Sequence, residues 1–147
     1  MTLTHLLTYI PQFQTLGSEE LWQQYGTGEN RKMLPLHHAV SKLGVPLAKS
    51  IIKAHILTGN DSMSKIGTKH AAMVSDPVQF LESFGETEKL SEEDERRAEK
   101  YLVKVWAGAR STTRALTFNQ FRVEKYCSAY AGLDSLPPSS VIRGHIH

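Results

Sequence analysis

A chain of 147 residues with 40% hydrophobic and 22% charged residues is long enough to bury a core and too apolar for wholesale disorder. Its formal net charge of +2 does not by itself imply a nucleic-acid partner. The single cysteine, Cys127, excludes an internal disulfide and points to a reducing compartment, nuclear or cytoplasmic; no apolar run approaches the ~18 residues of a membrane span, and Met1–Ile10 lacks the basic flank and cleavage site of a signal peptide.

In chain order, Leu3, Leu6, Leu7, Tyr9 and Ile10 alternate with threonines before Pro11 interrupts them, which reads as a short strand running into a helix. Two short runs, Glu20–Gln24 and Arg31–Leu34, flank Tyr25-Gly26-Thr27-Gly28 and predict a hairpin. Pro35 stands at a first helical position and Gly44 at a stop, with Leu36, Val40 and Leu43 at helical spacing between them. A second helix opens at Pro46, with Leu47, Ile51 and Ala54 on one face, and ends at Gly59. Thr68–Val74 predicts a third, short helix whose Ala71 and Ala72 permit close packing.

Asp76-Pro77 is an N-cap followed by an N1 proline; Val78, Leu81 and Phe84 form the apolar face of a helix closed by Gly85. Ser91 and Asp94 form a capping box before the stripe Ala98, Tyr101, Leu102, Val105 and Trp106, so a helix runs to about Ala107. Thr117 and Gln120 repeat the capping pattern, and Phe118, Phe121, Tyr126 and Tyr130 are expected in the core, with Cys127 a buried small hydrophobe among them. That helix stops near Gly132, and after Leu136-Pro137-Pro138 another starts at Val141 and breaks off at His147.

With no internal repeat, residues 1–147 are expected to form a single domain: 1–34 a sheet remnant with the hairpin, 35–85 a helix-turn-helix region, 91–147 the C-terminal helices. The fold class is therefore mainly α with a small β remnant. Charge is unevenly distributed along it. From Arg31 to Met73 seven bases face only Asp61, a net +6, whereas Glu82–Lys100 carries a net −4. The first block suits phosphate and the second does not.

The functionally informative segment runs from Leu57 to Ala72: a helix end, an acid, a tight loop and a new helix start. Free backbone N–H groups at a helix start suit a phosphate, Gly67 permits its close approach, and Lys69 and Lys65 add charge from the helix and loop sides. Lys65, Gly67, Thr68, Lys69 and His70 are the candidate nucleic-acid-binding residues, and such contacts read backbone, not sequence. Asp61 is a candidate metal ligand, with a capping or turn role as the alternative. His37 and His38 have no acid or cysteine at ligand spacing and read as structural or exposed; His145 and His147 read as part of an incomplete helix. No Gly-x-Ser-x-Gly elbow, phosphate loop or dinucleotide fingerprint occurs.

The series Leu57, Gly59, Asp61, then Ile66, Gly67, Lys69, Ala71, preceded by a hairpin and by Leu34-Pro35-Leu36-His37, resembles the flap endonucleases and related 5′ nucleases of the PIN-like superfamily over roughly residues 20–85. The whole chain is similar to a group of invertebrate proteins with a Leu-Thr-Gly-Cys-Asp-Thr signature, Asn60 standing here in place of the cysteine. The resemblance implies a truncated α/β PIN-like (5′ nuclease) domain that binds DNA. It makes Asp61 one of several carboxylates holding two metal ions, Mg2+ or Mn2+, the other acids belonging to strands expected before Met1. One carboxylate does not make a two-metal site, so the expectation is a catalytically silent, degenerate nuclease-like domain with no cofactor of its own unless that half is supplied. The loop between Asp61 and Gly67 is shorter than in flap endonucleases, and Lys65 replaces a glycine. The rival expectation is a non-catalytic helical module contacting a protein partner through its acidic and aromatic C-terminal helices. A third is a fragment associating through an open sheet edge near Met1.

Overall fold

The computed structural model describes residues 3–59, 66, 72, 75–108, 110–128 and 136. They are mainly helical, with one small antiparallel sheet, and the chain divides into two compact units, Met1–Ile52 and Lys53–His147.

The first unit begins with α1, Leu3–Thr15, which carries Pro11 inside it. The strand expected here is thus a helix. Leu3, Leu6, Leu7 and Ile10 recur at three- and four-residue spacing, and Leu7 and Ile10 are buried. An interior proline costs about 3 kcal/mol because Pro11 has no N–H for the Leu7 carbonyl, but burying two aliphatic side chains returns about 1.5–3 kcal/mol each.

The hairpin forms where expected, from β1, Trp22–Tyr25, and β2, Lys32–Pro35, in the register Trp22↔Pro35, Gln23↔Leu34, Gln24↔Met33, Tyr25↔Lys32. A single 3-10 turn, Gly28–Asn30, joins them. Gly26 has φ +84° and a Cβ there would run into the Asn30 carbonyl, so only glycine fits.

Helix α2, Leu36–Leu43, follows without a linker: Pro35 ends the strand and sits at the cap instead of the first helical position. The first amide, Leu36 N–H, donates to the Leu21 carbonyl (2.9 Å), and Gly44, φ +81°, closes the helix by donating to Val40 (2.8 Å). His37 is half-buried with Nδ1 3.2 Å from the Leu21 amide and 3.1 Å from its carbonyl, its ring edge-on to Trp22 and His38. It is a clip between the strand entrance and α2. Leu7, Ile10, Leu36, Val40 and Ala48 form this unit's core, and the Thr8 hydroxyl donates to the Ala48 carbonyl (3.1 Å). Ala48 comes from α3, Val45–Leu57, where it and Ser50 are fully buried while the predicted Leu47 and Ile51 are only half-buried.

The second unit takes the last turn of α3, then α4, Pro77–Leu81, α5, Glu92–Ala107, and α6, Phe118–Ser128. Asp76, φ +57°, caps α4 by accepting from the Gln79 amide (3.2 Å). The helix stops at Leu81, earlier than the predicted Gly85, and it buries Pro77, Phe80 and Leu81 with Phe84 half-buried behind; Val78 is not in that core.

Helix α5 is the centre. The Ser91 hydroxyl accepts from the Asp94 amide (3.1 Å) and donates to its carboxylate (2.7 Å), and Gly108 ends the helix by donating to Lys104 (3.0 Å). Ala98, Tyr101, Leu102 and Val105 are buried as the stripe predicts, and so is Val103, more than a right angle away around the helix. Two faces of α5 are covered, not one. Phe80 lies 6.3 Å from the Tyr101 ring, and Trp106 stands perpendicular to Phe118.

Helix α6 starts as predicted, the Gln120 amide donating to Thr117 Oγ1 (3.2 Å), and its first amide, Phe118 N–H, donates to Glu99 of α5 (2.9 Å). Phe118 and Phe121 enter the core. Tyr126 is 66% exposed, Val123 63%, and Cys127 is exposed, which corrects the expectation of a buried aromatic stripe with a buried thiol: among the described residues α6 enters the core by its first turn, through Phe118 and Phe121. Tyr130, the stop near Gly132, and the last helix with His145 and His147 lie outside the described residues.

Candidate nucleic-acid interface

The candidate segment leaves the core at the end of α3. Thr58 donates twice to the Ala54 carbonyl, from its amide (3.0 Å) and its hydroxyl (2.8 Å), and Gly59 follows at φ +78° with its amide on Ile56 (3.1 Å). That is a helix terminus whose reversal a glycine makes easy, as the spacing predicts. The chain is held again at Ile66: its amide donates to the Thr58 carbonyl (2.9 Å), and its side chain is 3% exposed within the core.

A third hold is at Ala72, helical and buried, whose carbonyl accepts the Tyr101 hydroxyl (2.8 Å). Burial pushes the Tyr101 phenol above its ordinary value, so the group remains a donor. A buried tyrosine hydroxyl without a partner would cost about 1–3 kcal/mol, and the Ala72 carbonyl removes that cost. This contact was missed by pattern reading, which placed Tyr101 in the apolar stripe. The available signal was that a phenol inside such a stripe needs an acceptor.

Asp61, Lys65, Gly67, Thr68, Lys69 and His70, and the predicted helix Thr68–Val74 apart from Ala72, lie outside the described residues. Of the rest of the basic block, Arg31, Lys32, Lys42 and Lys49 are exposed in the first unit, and Lys53 donates to the Glu82 carbonyl (2.6 Å). In the acidic block Arg96 pairs with Glu92 (3.5 Å) and Glu93 (3.3 Å), and Arg97 with Glu93 (3.3 Å), all along the exposed face of α5. Such pairs contribute little to stability. Asp94 is different: its carboxyl is held below its ordinary value, chiefly by the Ser91 hydroxyl, which burial opposes, and then by the Ser83 hydroxyl, the Ser91 amide and the Arg97 charge.

Among the described residues no group of three or more His, Cys, Asp or Glu is placed to hold a metal ion. No described helix is long and apolar enough to cross a membrane. No family model matches the chain, and no curated protein or solved structure matches it.

Proposed function

We propose that the segment between Gly59 and Ala72 grips the sugar–phosphate backbone of DNA without base specificity, as a helix-turn-helix of the PIN-like, flap-endonuclease type. Lys65 and Lys69 supply the charge, Gly67 and Thr68 the close approach of backbone amides, and His70 a further donor when protonated. The observation supporting this reading is the Thr58–Ile66 hydrogen bond with Ile66 and Ala72 both in the core. Lys65 directly precedes one fixed point, and Lys69 and His70 come just before the other, so binding loses less ordering entropy than it would on a free loop. Binding, not cleavage, is the activity assigned: Asp61 is a single carboxylate, and a two-metal site needs several.

The test is binding to a fluorescent flap-containing duplex across a salt series without divalent metal, comparing the chain with Lys65→Ala/Lys69→Ala. The expected result is affinity that falls with salt, with the double variant weaker and its log–log slope smaller by about 1.8, since each neutralised phosphate contributes about 0.9. Equal affinity and slope in both proteins, or no binding by either, would refute it.

A further inference from the structure

Beyond Phe121, α6 turns an uncovered face outward. A groove of about 650 Å3 runs along it, lined by Leu116, Asn119, Val123 and Cys127, with Arg114 and Glu124 also on its walls. Leu116 is 52% exposed and Val123 63%. The groove is built from held parts. The Thr113 hydroxyl hydrogen-bonds Glu124, and the Leu116 amide donates to Gln120 Oε1 (2.8 Å), so residues 113–116 run back along α6 and bring Arg114 to the level of Glu124.

Arg114 is exposed and has no partner among the described residues, and no ion pair joins it to Glu124. Among the described residues the apolar groove therefore carries one cation without a partner, Arg114, and one carboxylate, Glu124, at the same level. A uniformly acidic or basic partner would satisfy one and repel the other. A copy of the same surface, turned about an axis running along the groove, answers both at once, because a two-fold contact presents the same patch to itself.

We propose that this face of α6 is a two-fold contact with a second copy of the chain. In it each Arg114 meets the partner's Glu124, and Val123 and Cys127 lie close to their own symmetry mates. Leu116 and Val123 supply the apolar centre, and the charge pairs fix direction and register. This assignment is independent of the DNA-binding reading: it uses none of Lys65–His70, and either can fail alone.

Sedimentation of the full chain at micromolar to hundreds of micromolar concentration tests it. A monomer–dimer equilibrium is expected, with Val123→Asp shifting it to monomer. Arg114→Glu alone and Glu124→Arg alone should each weaken the dimer about a hundredfold, because each sets like charges opposite each other. Mixing those two variants should restore it, since every contact then joins an acid to a base. A short bis-maleimide should link Cys127 to the partner's Cys127 in the parent chain and not in Val123→Asp. Circular dichroism checks that each variant stays folded. A chain monomeric throughout leaves the groove to another molecule and overturns the proposal; so does a dimer indifferent to the reversals, or reversals that mixing does not rescue.

Discussion

Among the described residues, the unit Met1–Ile52 closes on five buried apolar side chains, one of them an alanine and none aromatic, whereas Lys53–His147 buries thirteen, four of them aromatic. The first unit depends more on backbone ties: Leu36 to Leu21, His37 across both groups of Leu21, Gly44 to Val40. The second is built around a helix covered on two faces. Because apolar burial stabilises by about 25 cal/mol per Å2 while one hydrogen bond nets about 1 kcal/mol, the two units should differ in stability, the hairpin unit opening first.

Each unit contains one tryptophan, Trp22 in the first and Trp106 in the second, so Trp22→Phe and Trp106→Phe give a fluorescence probe of one unit at a time. The largest expected effect is Phe118→Ala, which empties a fully buried ring site between α5 and α6 and should cost about 3–5 kcal/mol, lowering the Trp106 urea midpoint. The parallel change Leu36→Ala, also fully buried, should cost about 2–4 kcal/mol and lower the Trp22 midpoint. If each variant moves both probes by the same amount, the units unfold as one body and the comparison fails.

A change in the opposite direction sharpens it. Pro11→Ala returns an N–H to the Leu7 carbonyl and should stabilise the first unit by about 1–2 kcal/mol, the helix gain being partly offset by a freer unfolded chain. A raised Trp22 midpoint with Trp106 unchanged is the expected readout. Smaller again, Tyr101→Phe removes the hydroxyl from the Ala72 carbonyl and should cost about 1–2 kcal/mol, read at Trp106. It also joins core to candidate site: if the hold at Ala72 organises the neighbouring lysines, DNA affinity falls with salt slope unchanged, because no phosphate contact is lost.

What was legible in the sequence follows from how local each signal is. Caps announce themselves: Ser91 with Asp94, Thr117 with Gln120, and Asp76 before Pro77 all act as their spacing predicts, and the glycines after α2 and α3 take positive φ. The α5 stripe was equally readable. Leu3–Ile10 was not, because its eight residues, with threonines between the apolar ones, fit two periods and Pro11 argued for a break. Tyr126 and Cys127 show the second limit. Periodicity says which side of a helix is apolar, but only packing decides whether another element covers it. The Tyr101–Ala72 contact spans 29 residues, and no local pattern encodes that distance. The motif from Leu57 to Ala72 was visible as a string, and what the fold adds are its fixed points, Thr58, Ile66 and Ala72.

The smallest effect concerns the cap that starts α5. Ser91→Ala removes the acceptor for the Asp94 amide and should cost about 1 kcal/mol at neutral pH, read as a lower Trp106 midpoint. The same hydroxyl also donates to the Asp94 carboxylate, and this part depends on pH. Since the folded-state pKa of Asp94 lies below its unfolded value, its contribution is present above the unfolded pKa and disappears as pH falls through the folded one, below about pH 4. The gap between parent and Ser91→Ala should therefore narrow on acidification without closing, because the amide bond to the hydroxyl survives protonation. A gap that stays constant from neutral pH to pH 3 would mean the carboxylate is not held by Ser91, while a gap that vanishes would mean the neutral capping bond contributes nothing. Under both outcomes the Trp22 probe should stay still, since residues 91 and 94 belong wholly to the second unit.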